Sequence, residues 1–129
     1  MRPVFVDRPT PKIMEEIEFL ENETGSNPVG CVIWMHGLGA DATDFEPIVP
    51  LLPLEANLRF IFPNAPVRPI KANGGMEMRG WYDIDPGSPL ANNDDIRSSV
   101  HAITGLIEHE VVNGFRYDQI TIAGFSQGG

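Results

Sequence analysis

Basic residues are scarce: nine Lys and Arg stand against eighteen Asp and Glu in 129 residues, a net charge of −9. A polyanion is repelled by that balance, so nucleic acid is not an expected partner. Cysteine is nearly absent. The lone Cys31 forms no internal disulfide, and its place in the apolar run CVIWM fits a small buried hydrophobe. Long apolar runs are missing as well: the best candidate, Val29 to Met35, falls far short of the roughly 18 residues a membrane helix needs. In the opening MRPVFVDRPTPK no continuous apolar stretch follows Arg2, so no signal peptide is expected and the chain is read as cytoplasmic. Glycine (13) and proline (12) are plentiful but stay below the roughly 25–30% of low-complexity chains, which predicts frequent turns within one domain.

Hydrophobic periodicity gives the order of elements. Ile13 to Leu20 alternates loosely and is read as one edge strand, and Gly25, Asn27 and Pro28 then supply a turn. Val29 to Met35 and Leu58 to Phe62 are continuous apolar runs suited to buried, parallel strands. Between them, Phe45, Ile48, Leu51 and Leu52 have near-helical spacing, but Pro47, Pro50 and Pro53 limit it to a short helix or two turns. Asn64 to Asn92 reads as a long irregular passage, of a length that is usually functional. Asn92 to Val112 is the strongest helix, with Ile96, Val100, Ile103, Ile107 and Val111 at steps of three or four, Asn93 or Asp94 as cap and Gly114 as stop. Tyr117 to Ala123 reads as a buried strand. Strands alternating with helices predict an α/β fold with right-handed crossovers.

Two glycine-bearing loops carry the chemistry. Gly124-Phe125-Ser126-Gln127-Gly128 is a G-x-S-x-G directly after a strand, the pattern that sets a serine on a sharp turn between close backbones. The second loop, His36-Gly37-Leu38-Gly39, follows another inner strand. Acyl transfer needs two backbone N–H donors aimed at a developing oxyanion; Leu38 and Gln127 are placed to give one each.

The segments VIWMHGLGADATDF (32–45), FPNAPVRPI (62–70), GWYDI (80–84) and ITIAGFSQGG (120–129) together resemble the bacterial carboxylesterases related to acyl-protein thioesterases and lysophospholipases, within the α/β-hydrolases. The resemblance implies the amino-terminal part of such a fold, residues 1–129 forming a partial domain that stops at the nucleophile turn without the later strands and helices. It implies Ser126 as nucleophile, Leu38 and Gln127 as oxyanion-hole amides, and hydrolysis of carboxylic esters, acyl thioesters or lysophospholipids without metal or organic cofactor. Met76, Met78, Trp81 and Tyr82 are candidate walls of an acyl groove.

The family's order is serine, acid, histidine, and only Gln127, Gly128 and Gly129 follow Ser126. The chain alone is therefore expected to be catalytically incomplete. His36 is read as shaping its loop, and His101 and His109 as solvated helix residues. The strand before Ser126 should lie at an exposed sheet edge and invite self-association or complementation. Two rivals remain open: a non-catalytic truncated remnant or binding or assembly piece, and a dinucleotide-binding module suggested by Gly37-Leu38-Gly39-Ala40-Asp41-Ala42, which matches G-x-G-x-x-A but has Pro63 and Asn64 where an acidic residue about 20 positions on is wanted.

Overall fold

A computed structural model describes residues 12–14, 17–88 and 93–129. The opening 1–11, the pair 15–16 and residues 89–92, which include the expected helix start at Asn92, lie outside the described residues. Strands β1 (Lys12–Met14), β2 (Ile17–Glu23), β3 (Gly30–Met35), β4 (Leu58–Pro63) and β7 (Ile120–Gly124) form a sheet in the order β1-β2-β4-β3-β7. β4, β3 and β7 run parallel, and β1-β2 is an antiparallel pair on the far edge. Helix α1 (Asn93–Val112) connects the two sides of β3. This is the expected α/β arrangement.

Strand alternation sorts the core into two layers. Ile17, Phe19, Cys31, Ile33 and Ile61 point to one face, under Ile103 and Leu106 of α1. Leu20, Phe60 and Phe62 point to the other, with Val32 and Trp34 beside them, and are covered by Ala42, Val49 and Phe45. That second cover is a 3-10 segment, Glu46–Leu51, with Pro47 in its first turn and Pro50 inside, as the prolines require. Burial holds the Cys31 thiol up, to about 12, so it stays protonated and inert.

Four expectations need correction. The single edge strand Ile13 to Leu20 is two strands paired to each other, with Met14 opposite Ile17; β1 takes the edge, while β2 buries Phe19 on one face and Leu20 on the other and so needs β4 beside it. The irregular passage after Asn64 contains a hairpin, β5 (Val67–Ile70) with β6 (Met76–Arg79), whose strands are too short and proline-interrupted to show a period in sequence. The last strand starts at Ile120; Tyr117–Gln119 is a 3-10 turn, closed where the Arg116 N–H donates to Gln119 Oε1 and the Gln119 N–H to the Arg116 carbonyl.

The fourth concerns α1. Its buried line is Ile103, Leu106 and Glu110, whereas Ile96 is 40% and Val100 59% exposed. Only the carboxy-terminal half of the helix presses on β3. The amino-terminal half faces an open groove along β7. Gly114, at φ +111°, then turns the chain out of the helix, and the Phe115 N–H donates back to the Glu110 carbonyl at 3.1 Å.

Candidate active site

β3 and β7 are parallel neighbours in register, Met35 opposite Gly124, so the loops that follow them leave the sheet side by side. Between them the strand order switches direction, because β3 is followed by β4 on one side while β7 lies on the other. A crevice beyond the carboxyl ends at such a switch is the usual ligand position in open α/β sheets. Two chemistry-bearing loops, far apart in sequence, therefore meet there. The Phe125 N–H donates to the Met35 carbonyl at 3.1 Å and ties them together.

Ser126 sits at φ +55°, left-handed backbone that a non-glycine residue adopts only at a cost of about 1–3 kcal/mol. The turn is so tight that a Cβ on Gly128 would lie 2.5 Å from the carbonyl oxygens of both Met35 and His36, and one on Gly124 would strike the Gly128 backbone. Only glycine fits at either flank. The side chain of Ser126 is exposed, at the end of a groove of about 690 Å³ lined by Met35, Trp81, Tyr82, Val100 and Ile122 among others.

On the neighbouring loop, His36 is 2% exposed and both its ring nitrogens are used. The Ala65 N–H donates to Nε2 at 3.0 Å, so Nδ1 carries the proton and donates to the Gly37 carbonyl at 2.7 Å. Burial lowers its pKa from the ordinary 6.5 and keeps the ring neutral. It shapes the loop, as expected. The Gly39 N–H donates to the Arg79 carbonyl, the Ala40 N–H to the Gly37 carbonyl, and the N–H groups of Gly128 and Gly129 close the turn, a set that does not include the Leu38 and Gln127 amides.

Of the residues suggested for a groove, Trp81 and Tyr82 line it together with Ser126. Met76 stands 65% exposed on the β5-β6 hairpin, and Met78 packs beside Gly39 and accepts a hydrogen bond from Asn73. Neither methionine lines the groove. Met35, Ile96, Val100 and Ile122 do; Ile96 and Val100 belong to the apolar stripe read on α1, whose periodicity gave no sign that this half stays uncovered.

Sequence reading missed three features. The side chain of Gln127 bonds to the backbone of 81–82. A buried charge cluster at the opposite end of the sheet joins Arg59 to Glu21 at 2.6 Å, to Glu23 at 3.2 Å and to Glu110 at 2.6 Å. His109 belongs to that cluster rather than to a solvated face: its Nδ1 is 3.0 Å from Glu110 Oε2 and its ring packs against Phe19 at 6.1 Å. The available sign was Glu110 itself, which continues the buried helical line four residues after Leu106.

Among the described residues, no group of three or more His, Cys, Asp or Glu is arranged to hold a metal ion, and no helix is long and apolar enough to cross a membrane. The dinucleotide reading loses its footing, since Gly39 leads into turns and the 3-10 segment rather than into the α-helix whose N-terminus would receive the pyrophosphate.

The family model for phospholipases and carboxylesterases matches residues 18–129. The chain belongs to that family. It is 38% identical over 103 residues to acyl-protein thioesterase 1 of Kluyveromyces lactis, covering 75% of this chain and 45% of that one. To carboxylesterase SOBER1 of Arabidopsis thaliana it is 31% identical over 105 residues, 76% of this chain and 46% of that one. The crystal structure of SOBER1 superimposes with a TM-score of 0.69 at 30% identity, over 77% of this chain and 50% of that one. The chain thus spans about half the length of these relatives, and its fold is the corresponding part of an α/β-hydrolase.

Proposed function

We propose that Ser126 is the nucleophile of a serine hydrolase acting on carboxylic esters, acyl thioesters or lysophospholipids in the cytoplasm, with the N–H groups of Leu38 and Gln127 as its oxyanion hole. The observation that carries this is the strained, glycine-flanked Ser126 turn packed against the His36–Gly39 loop. Membership of a family of thioesterases and carboxylesterases supports the substrate class. Attack by Ser126 Oγ on the acyl carbon forms the C–O bond, the carbonyl oxygen takes the negative charge, and the two amides stabilise it. Collapse expels the alcohol or thiol and leaves an acyl-serine for water to hydrolyse. Trp81 and Tyr82 wall the acyl side of the groove.

Ser126 needs a base to take its proton. Both nitrogens of His36 are engaged, His101 is exposed on α1 and lines a separate pocket beside Ser98 and Ser99 rather than the groove of Ser126, and His109 lies at the other end of the sheet. Turnover by the 129 residues alone is therefore slow, since losing the base typically costs several orders of magnitude. The test is hydrolysis of a small chromogenic ester or thioester by this chain beside Ser126→Ala. A slow rate that disappears in the variant is expected. Equal rates in both proteins would overturn the nucleophile assignment, and turnover at ordinary enzymatic rates would overturn the catalytic incompleteness.

Among the described residues one side of β7 has no strand beside it, and this edge with the exposed Ile122 favours pairing with a second copy of the chain. Sedimentation would show a concentration-dependent dimer; a monomer throughout would refute it.

A further inference from the structure

The segment Gly80 to Asp83 has no regular structure, yet side chains from elsewhere hold its backbone almost group by group. Arg68 Nε donates to the Gly80 carbonyl at 2.8 Å, Ser99 Oγ to the Trp81 carbonyl at 2.5 Å, and the Asp83 N–H donates to Asp95 Oδ2 at 3.0 Å. The indole N–H of Trp81 donates to the His36 carbonyl at 2.8 Å. One residue contributes twice. The Trp81 N–H donates to Gln127 Oε1 at 2.7 Å, and Gln127 Nε2 donates to the Tyr82 carbonyl at 2.8 Å.

From this geometry we infer that the Gln127 side chain is a positioning residue, a two-point clamp that fixes the Trp81–Tyr82 wall of the groove to the residue whose own N–H faces the reacting acyl group. The clamp needs an acceptor and a donor on one head. A glutamine has both; a carboxylate has only the acceptor, an alanine neither. Because the wall and the N–H then belong to one rigid unit, an acyl chain lying along Trp81 and Tyr82 is held in register with the oxyanion site. The catalytic consequence rests on Ser126 as nucleophile, while the clamp itself does not.

The test has two parts. In amide hydrogen exchange followed by NMR on the whole chain, Gln127→Ala should raise the Trp81 N–H exchange rate at least about tenfold, the loss of a protecting hydrogen bond, with Ile33 and Ile61 unchanged. Gln127→Glu keeps the acceptor, so the Trp81 N–H stays protected. Above its carboxyl pKa it lacks the donor, so the Tyr82 carbonyl-carbon chemical shift should move away from its wild-type value and return below that pKa, where the protonated acid again donates to the Tyr82 carbonyl. Asp83 and Asp95 are present in every variant, so a transition confined to Gln127→Glu reports the new carboxyl group. If Gln127→Ala unfolds, Ile33 and Ile61 lose protection as well, and the pH transition of Gln127→Glu decides alone. Unchanged Trp81 exchange in a folded Gln127→Ala, or no transition in Gln127→Glu, would overturn the clamp.

In the second part, long-chain and short-chain alkyl fluorophosphonates compete for Ser126. Wild type should react faster with the long chain, and that preference should collapse in Gln127→Ala and return in Gln127→Glu at low pH; no preference in wild type, or one that survives in Gln127→Ala, would overturn the coupling to the acyl site. Labelling is slow because Ser126 has no base here; absence of any label at Ser126 after prolonged exposure would count against the hydrolase reading, and the exchange and shift data would still decide the clamp.

Discussion

Ile33 and Ile122 are register partners on adjacent parallel strands, and the first is 0% exposed while the second is 45% exposed. Both sit in apolar stretches and both point toward α1. The difference is neighbours. β3 has β4 on one side, β7 on the other and the carboxy-terminal half of α1 above it, whereas β7 has, among the described residues, β3 alone and the open groove above. An apolar strand states what it needs to bury; the elements around it determine how much is buried. The closed side therefore carries the stability, and the open side carries the serine.

The strongest way to break that contrast is at the amino ends of the closed strands. Arg59→Ala leaves Glu110, 1% exposed, without its arginine partner, and should cost about 3–5 kcal/mol of unfolding free energy, read from urea denaturation. A cost under about 1 kcal/mol, the scale of an exposed pair, would mean the cluster is solvated. Next, Ile33→Ala should cost about 2–5 kcal/mol and Ile122→Ala distinctly less, because a half-exposed side chain leaves no closed cavity. Equal losses would show that the groove is closed in solution.

Much of this was legible in sequence. The paired motifs at 36–39 and 124–128, the order of β3, β4, α1 and β7, and the positions flanked by glycine all follow from local pattern, because tight turns and buried runs leave residue-level signatures. The hairpin β5-β6 did not, since four-residue strands carrying Pro69 have no readable period. Nor did the Gln127 clamp, which depends on a loop 45 residues away. The stripe on α1 was read correctly as apolar, but periodicity does not tell which half of a helix finds a partner.

Two smaller effects sharpen the picture at the open end. His36 is neutral in the fold with a lowered pKa, so the unfolded chain binds a proton first as pH falls. Its contribution is full above the ordinary 6.5 and is lost as pH falls from there through the lower folded value. His36→Gln, which keeps a donor and an acceptor but does not titrate, should flatten the stability profile below that point; an unchanged slope would show that His36 is not the group responsible. Ser126→Gly should be more stable than Ser126→Ala by about 1 kcal/mol, since glycine takes a positive φ without a Cβ clash. Equal thermal midpoints for the two would argue that the turn relaxes.

The most direct measurement is the site of covalent capture by a short alkyl fluorophosphonate, mapped by peptide mass spectrometry. The chain offers five serines: Ser26, Ser88, Ser98, Ser99 and Ser126. If the turn and the two amides form an oxyanion site, the adduct forms slowly, for want of a base to take the serine proton, but still accumulates on Ser126 ahead of the other four and is lost in Ser126→Ala. An adduct on Ser98 or Ser99, or one spread evenly over the serines, would contradict the account.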